Sequence, residues 1–298
     1  MNSVWKTHAI GRHFVDVPTG AKLVESWKYG KDALERVAAG DDGQIAQLVA
    51  RREAELRKQL QKSGKPSFVD RVLLANGSVA LFSWSEPYDE TIYASDTYFK
   101  AGRSIIRYQK DAIPLSNREK AITFFKRCSA KWREIPAGQT PEGIGFVAGN
   151  AMLADDFPNY ESWRLLIQLE GKPDVSLEVS SFVGAVEEGL RQRVGGILTS
   201  MLGAAAGLAQ LRNHARPVGP IQADEILVAG TQNGKRGYGF KWEAPGKDYS
   251  LAEPNMNVSL QVGESAYATN RESFSSDGEA LELWDTLVSS IRLRPGAV

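Results

Sequence analysis

Cysteine is nearly absent. Cys128 stands alone in 298 residues, which excludes an intramolecular disulfide and any cysteine-based zinc cluster. Three histidines, His8, His13 and His214, leave little material for a metal site or an acid–base centre. A charge excess is missing as well: 36 basic and 36 acidic side chains cancel, so no bulk field draws the chain to nucleic acid or to an anionic membrane. Residues 1–17 contain no continuous apolar run, so nothing there reads as a signal peptide or anchor. Composition fits a cytosolic chain, or one whose leader has been removed, equally well. Neither G-x-S-x-G nor G-x-x-x-x-G-K-[ST] occurs, which removes the signals for a serine elbow and for a phosphate-cradling loop.

The one long uncharged run is 194–211, VGGILTSMLGAAAGLAQL, which includes Gly203 and Gly207 at small-xxx-small spacing. Its 18 residues reach the shortest spanning length. Four glycines with Thr199, Ser200 and Gln210 dilute it, however, and Arg191, Arg193 and Arg212 flank it closely. It is expected to be a helix inside the fold, with no stable membrane insertion.

What is present is ordinary for a globular protein: 42% hydrophobic and 24% charged residues, in a chain long enough for two domains. Period-2 runs predict strands at 11–17, 23–29, 67–74, 78–84, 90–99 and 104–109. An amphipathic helix is predicted over 43–62, and Asn76-Gly77 predicts a tight hairpin turn. Ser116-Asn-Arg-Glu119 has the form of a capping box and opens a predicted helix with Ile122, Phe125, Cys128 and Trp132 on its apolar stripe. Residues 136–141, PAGQTP, read as a linker.

The same order then repeats. Strands are predicted at 144–153, 163–169 and 176–182, a helix over 185–211, and strands near 225–228, 238–242 and 257–262. A second capping-box pattern, Ser276-Asp-Gly-Glu279, opens a closing helix that buries Leu281, Trp284, Val288 and Ile291. Ser116 lies 20 residues before Pro136, and Ser276 lies 19 before Pro295. The expectation is an α+β protein of two similar domains, 1–138 and 141–298, each a mainly antiparallel sheet with helices packed on one face. Split at residue 140, the net zero charge resolves into +7 and −7, so the two halves would present surfaces of opposite sign.

Chemistry is harder to find. Cys128 falls on an apolar helical stripe, where a buried structural thiol is expected. Asp155-Asp156 lacks the oxygen ladder of a calcium loop and reads as a solvated turn. His214 reads as an exposed residue after a helix. The glycines of 234–239, GKRGYG, do not have dinucleotide-loop spacing and read as a turn between strands. No catalytic set, cofactor site or metal site is expected. Two segments carry the residue types that interfaces favour: Tyr88, Asp89, Glu90 and Tyr93 in the first half, and Lys235, Arg236 and Tyr238 in the second.

Several segments taken together resemble the immunity proteins that neutralise phospholipase effectors of bacterial type VI secretion, specifically the class-four lipase group. They are Gly11-Arg-His-Phe-Val-Asp-Val-Pro18, Gly145-Phe146, Pro173-Asp-Val-Ser-Leu-Glu-Val179, Phe240-Lys-Trp-Glu243, Leu283-Trp-Asp285 and Ser290-Ile-Arg-Leu-Arg-Pro-Gly296. Relatives often carry cysteine where this chain has Ala9 and Val147. The resemblance implies a two-domain, non-catalytic, periplasmic protein, monomeric when free, that binds a cognate lipase of α/β-hydrolase fold. It would block that enzyme's active-site entrance or lid. The competing reading from the residues is a lipid- or ligand-binding module without a lipase partner, with the 194–211 run lining a cavity or touching membrane.

Overall fold

The computed structural model describes residues 4–39, 42–155, 160–194, 208–232, 235–262 and 273–298. The chain divides into two compact units, Met1–Ser26 with Pro158–Val298, and Trp27–Phe157. The 136–141 segment therefore runs inside the second of these, between the strands Trp132–Glu134 and Phe146–Ala148.

The Trp27–Phe157 unit carries strands β3 (Lys22–Tyr29, from Trp27 onward), β4 (Asp32–Ala39), β5 (Phe68–Leu73), β6 (Val79–Glu86), β7 (Asp89–Ala101) and β8 (Ser104–Pro114). They pair antiparallel in the order β3-β4-β8-β7-β6-β5. Helix α1 (Asp42–Lys58) carries the chain from β4 to β5, across the width of β8, β7 and β6. Four strand spacings come to about 19 Å, and 17 helical residues reach about 25 Å, enough to make the crossing.

Alternation decides which face each helix covers. Val79, Leu81, Tyr98 and Ile105 meet Ile45, Val49 and Leu56 of α1. Phe82 and Tyr108, one or three residues out of phase, meet Phe125 of α2 (Arg118–Lys131) at 6.1 and 6.0 Å between ring centroids. In this unit the helices thus sit on both faces, and Val79–Ser83 of β6 is buried without a break. A small sheet of β9 (Trp132–Glu134), β10 (Phe146–Ala148) and β11 (Ala151–Leu153) completes the unit.

The other unit repeats the plan. Strands β12 (Glu161–Gln168) and β13 (Val175–Phe182) form a hairpin. A four-strand meander follows: β14 (Leu208–Ala215), β15 (Asp224–Gln232), β16 (Lys235–Ala244) and β17 (Asn255–Val262). The order β12-β13-β17-β16-β15-β14 is the same as β3-β4-β8-β7-β6-β5, with α3 (Asp277–Ser289) in the place of α2. The expected α+β class, antiparallel sheets and duplicated grammar are what the chain adopts. In this unit β12 and β13 alternate buried with less buried residues, as expected of a sheet with one solvated face. Strands β1 (Trp5–Ile10) and β2 (His13–Pro18) join β18 (Arg292–Leu293) in a separate three-stranded sheet.

Several local expectations are corrected. Helix α1 ends at Lys58 rather than 62. Ser116 does not cap α2: Leu115–Asn117 form a 3-10 turn, and Asn117 precedes α2 without a side-chain cap. The helix expected over 185–211 is helical at 190–194, but Leu208–Leu211 belong to β14. Residues 195–207, with Gly203 and Gly207, lie outside the described residues. No helix among the described residues is long and apolar enough to cross a membrane. The hairpin turn at Asn76-Gly77 forms as expected, with φ of 57° and 75° and a Ser78 N–H to Ala75 O bond of 3.0 Å.

Candidate functional site

The titratable groups are held by structural duties. Cys128 is buried in α2, and burial pushes its thiol up to about 12, which leaves no thiolate at neutral pH. His13 is buried between Arg12 and Arg294 and beside Trp163, and desolvation with those two charges pushes its imidazole down to about 3. His8 lies 3.2 Å from Glu25 and His214 lies 3.6 Å from Glu225. His214 is in β14, not in the loop expected for it. Among the described residues no histidine hydrogen-bonds a hydroxyl or thiol, and no group of three His, Cys, Asp or Glu side chains is placed to hold a metal.

Asp155 is also unlike its expectation. It is a buried carboxylate, not a solvated turn residue. Lys131 Nζ donates to it at 2.7 Å and Tyr29 Oη at 3.0 Å, with Arg127 3.4 Å away. Burial opposes its charge, but these donors hold its carboxyl below the usual range. Asp156 lies outside the described residues.

The residues expected to meet a partner fall in different units and have different environments. Tyr88, at the β6–β7 turn, is 70% exposed, with Lys62 Nζ 4.0 Å from its ring centroid. Asp89 accepts from the Thr91 N–H and Oγ, and Glu90 accepts from Ser63 Oγ at 3.3 Å. Tyr93 is buried, stacked on Trp84 at 4.7 Å. In the other unit Arg236 makes a two-point contact with Asp277 at 2.9 and 2.7 Å, and the buried Tyr238 donates to the same carboxylate at 2.8 Å. Burial and that hydrogen bond push the Tyr238 phenol up to about 12. These contacts fasten β16 to the first turn of α3. Lys235 opens β16, paired with Gln232, and the turn residues 233–234 lie outside the described residues. Residues 235–239, expected as a turn, are strand.

Two surfaces were not anticipated. In the first, Phe182, Val186 and Tyr249 are exposed, and Tyr160 packs edge-on against Tyr249 at 5.4 Å. The Tyr249 N–H bonds Gly184 O at 2.7 Å and holds the residue at φ 50°. The second is a groove of about 750 Å³ in the Trp27–Phe157 unit, lined by the first turns of α1, the β5–β6 turn, the end of β7 and Trp132. Neither has a local motif. Each is assembled from segments far apart in sequence.

The motifs that carry the family resemblance hold the fold. Gly11 has φ 55°, and a Cβ there would lie 2.2 Å from Trp163 Cδ1. Arg12, fully buried, donates to Glu161 at 2.8 and 3.0 Å and to Ala297 O at 2.6 Å, while the Arg294 N–H donates to Arg12 O at 2.8 Å. The N-terminal Gly-Arg-His-Phe and the C-terminal Arg-Pro-Gly thus bind each other. Residues 139–296 match the family described as Tle cognate immunity protein 4 C-terminal domain.

The chain belongs to the Tle cognate immunity protein 4 family. Over 98% of both chains it is 33% identical to the immunity protein TplEi of the type VI secretion system (T6SS) from Pseudomonas aeruginosa in its apo structure, with a TM-score of 0.92. The crystal structure of the Tle4–Tli4 complex matches with the same identity and coverage and a TM-score of 0.91. TplEi complexed with "L" peptide matches at 32% identity over 98% of both chains, with a TM-score of 0.86. No curated protein matches the chain. As an immunity protein of type VI secretion, it is one of a group that meets effectors.

Proposed function

We propose that this chain binds a cognate phospholipase effector of α/β-hydrolase fold and inhibits it by covering its active-site entrance or lid, protecting the producing cell and its kin. The observation that carries this reading is the 33% identity, spread over 98% of the chain, to the relative solved as the Tle4–Tli4 complex. The buried Cys128 thiol and the separated histidines support action by binding alone. Covering an entrance needs no chemistry from the inhibitor. It removes the open state of the enzyme that admits lipid.

The chain acts in the periplasm, as a monomer until it meets the lipase, and both halves of the chain contribute to the grip. Two modules gripping one target raise affinity through effective concentration. Electrostatics add little to that division of labour. Drawn along the compact units, the charge is +3 for Trp27–Phe157, with 20 basic and 17 acidic side chains, and −3 for the rest.

The test mixes the purified chain with the lipase encoded beside it and measures complex formation and phospholipid turnover. A stoichiometric complex with suppressed turnover is expected. Full lipase activity at saturating immunity protein, or phospholipid turnover by the immunity protein alone, overturns the proposal.

A further inference from the structure

Phe182, Val186 and Tyr249 are 39%, 52% and 46% exposed, and short contacts gather them into one patch. The Phe182 ring lies against the backbone of Gly184, where an added Cβ would come within 2.9 Å of it. The Gly184 carbonyl accepts from the Tyr249 N–H, and the Val186 N–H donates to Asp248 Oδ1 at 2.8 Å. Tyr160 packs on Tyr249 with the two hydroxyls 3.4 Å apart.

The patch is stiff. Tyr249 keeps a positive φ, where a bulky side chain is rare, because its loop is bonded to itself. The Lys247 N–H donates to Glu253 O at 2.8 Å, the Ser250 N–H to Lys247 O at 3.1 Å, and the Glu253 N–H to Ser250 Oγ at 3.0 Å. An aromatic side chain held out in this way loses little freedom on binding, and tyrosine is among the residues that dominate interfaces.

The flanking charge is acidic. Segments 182–188 and 245–254 carry Glu187, Glu188, Asp248 and Glu253 against one cation, Lys247, which Glu253 holds at 2.7 Å. Lys241, the cation that feels Glu187, lies 2.9 Å from Glu243, and Arg193 pairs with the same carboxylate. Residues 156–159, which lead into Tyr160, contain no basic side chain. Such a rim repels anionic phospholipid. It favours a protein surface that carries lysine or arginine, and those cations also gain from the faces of exposed tyrosines.

We propose that this patch receives a segment of the effector in which an apolar side chain is flanked by lysine or arginine. The apolar group lies against Phe182, Val186 and Tyr249, and the cation meets Glu187, Glu188 and the tyrosine ring. This rests on the effector-binding reading above and adds to it the place and chemistry of one contact.

The experiment uses the full chain and the lipase encoded beside it. Hydroxyl-radical footprinting of the parent chain needs no variant: oxidation of Phe182 and Tyr249 should fall when the lipase is added. Calorimetry then compares variants. Val186→Ser, and Glu187→Lys combined with Glu188→Lys, are each expected to weaken binding about tenfold or more with the thermal midpoint unchanged. Glu282→Lys, an exposed charge reversal on α3, should bind like the parent. If the parent chain binds no lipase, the functional reading fails and this inference with it. If the parent binds while Phe182 and Tyr249 stay fully oxidised, the functional reading stands and the patch is not the contact. Equal weakening by Glu282→Lys would make overall charge the cause and overturn the proposal. Protection by phosphatidylglycerol vesicles but not by the lipase would make the patch a lipid site. Protection that grows with the concentration of the chain alone would make it a contact between copies. Either result overturns the proposal.

Discussion

Arg12 and Glu161 are 149 positions apart and form a two-point, charge-assisted hydrogen bond with both side chains buried. Burial pushes the Glu161 carboxyl up, against the pull of Arg12 and Arg294. The fold must therefore hold the arginine in place for the charge to be tolerable.

Removing one partner strands the other. Arg12→Met or Glu161→Gln is expected to cost about 3–5 kcal/mol, and the double substitution less than the sum. Urea unfolding of the three variants gives the coupling energy. Strict additivity would show that the pair has no interaction beyond its separate packing.

Glycine at two positions with positive φ should behave differently. At Gly11 an added methyl collides with Trp163, whereas at Gly64, φ 80°, it meets nothing within 4 Å. Gly64→Ala is expected to cost about 1 kcal/mol from backbone strain alone. Gly11→Ala should cost clearly more, and Trp163→Ala should cost less in the Gly11→Ala background than in the parent. Equal losses in the two single variants would contradict the contact.

Acid should act through His13. Its ordinary pKa of 6.5 falls to about 3 in the fold, so below pH 6.5 the unfolded chain binds a proton that the folded chain refuses. Stability contributed by the neutral ring is complete above pH 6.5 and is lost as pH falls toward 3. The groups facing it are Arg12, Arg294 and the Trp163 ring; Arg12 is engaged by Glu161. Between pH 7 and pH 4.5 the loss is on the order of 2 kcal/mol. In His13→Leu the unfolding midpoint should decline less over that range. An identical decline would place the acid sensitivity elsewhere.

The residues expected to meet a partner should divide by stability. Tyr238→Phe removes a hydrogen bond to Asp277 and should cost about 1 kcal/mol. Tyr88→Ala, at an exposed turn, should stay within about 0.5 kcal/mol of the parent. Thermal unfolding measures both, and a large loss at Tyr88 would mean that its contact with Lys62 supports the turn.

Local signals were legible where local chemistry decides. Asn76-Gly77 forms its turn, and Ser276 Oγ accepts from the Glu279 N–H at 3.2 Å as a capping box should. Glu279 in return accepts from the N–H and Oγ of Ser275; though burial opposes its charge, these bonds and Lys172 hold it down at about 2. Strand β4, DALERVAA, and the start of β14, LAQLR, are built of helix formers and were illegible. Pairing of β4 with β3 and β8, and of β14 with β15, overrides that propensity. The groove was hidden for a related reason. Arg71, Lys100 and Trp132 are ordinary strand residues until topology gathers them.

The small sheet β1-β2-β18 joins residues from the two ends of the sequence, and the Trp27–Phe157 unit is inserted between them. On the ribosome, the inserted unit is continuous and has all its strands once residue 157 has emerged. The unit around it stays open until Arg292 reaches β2 and Ala297 O reaches Arg12. Closure of the discontinuous unit therefore waits for residues 292–297, whereas the inserted unit needs none of them. A chain lacking those residues would carry one finished module attached to an unclosed one.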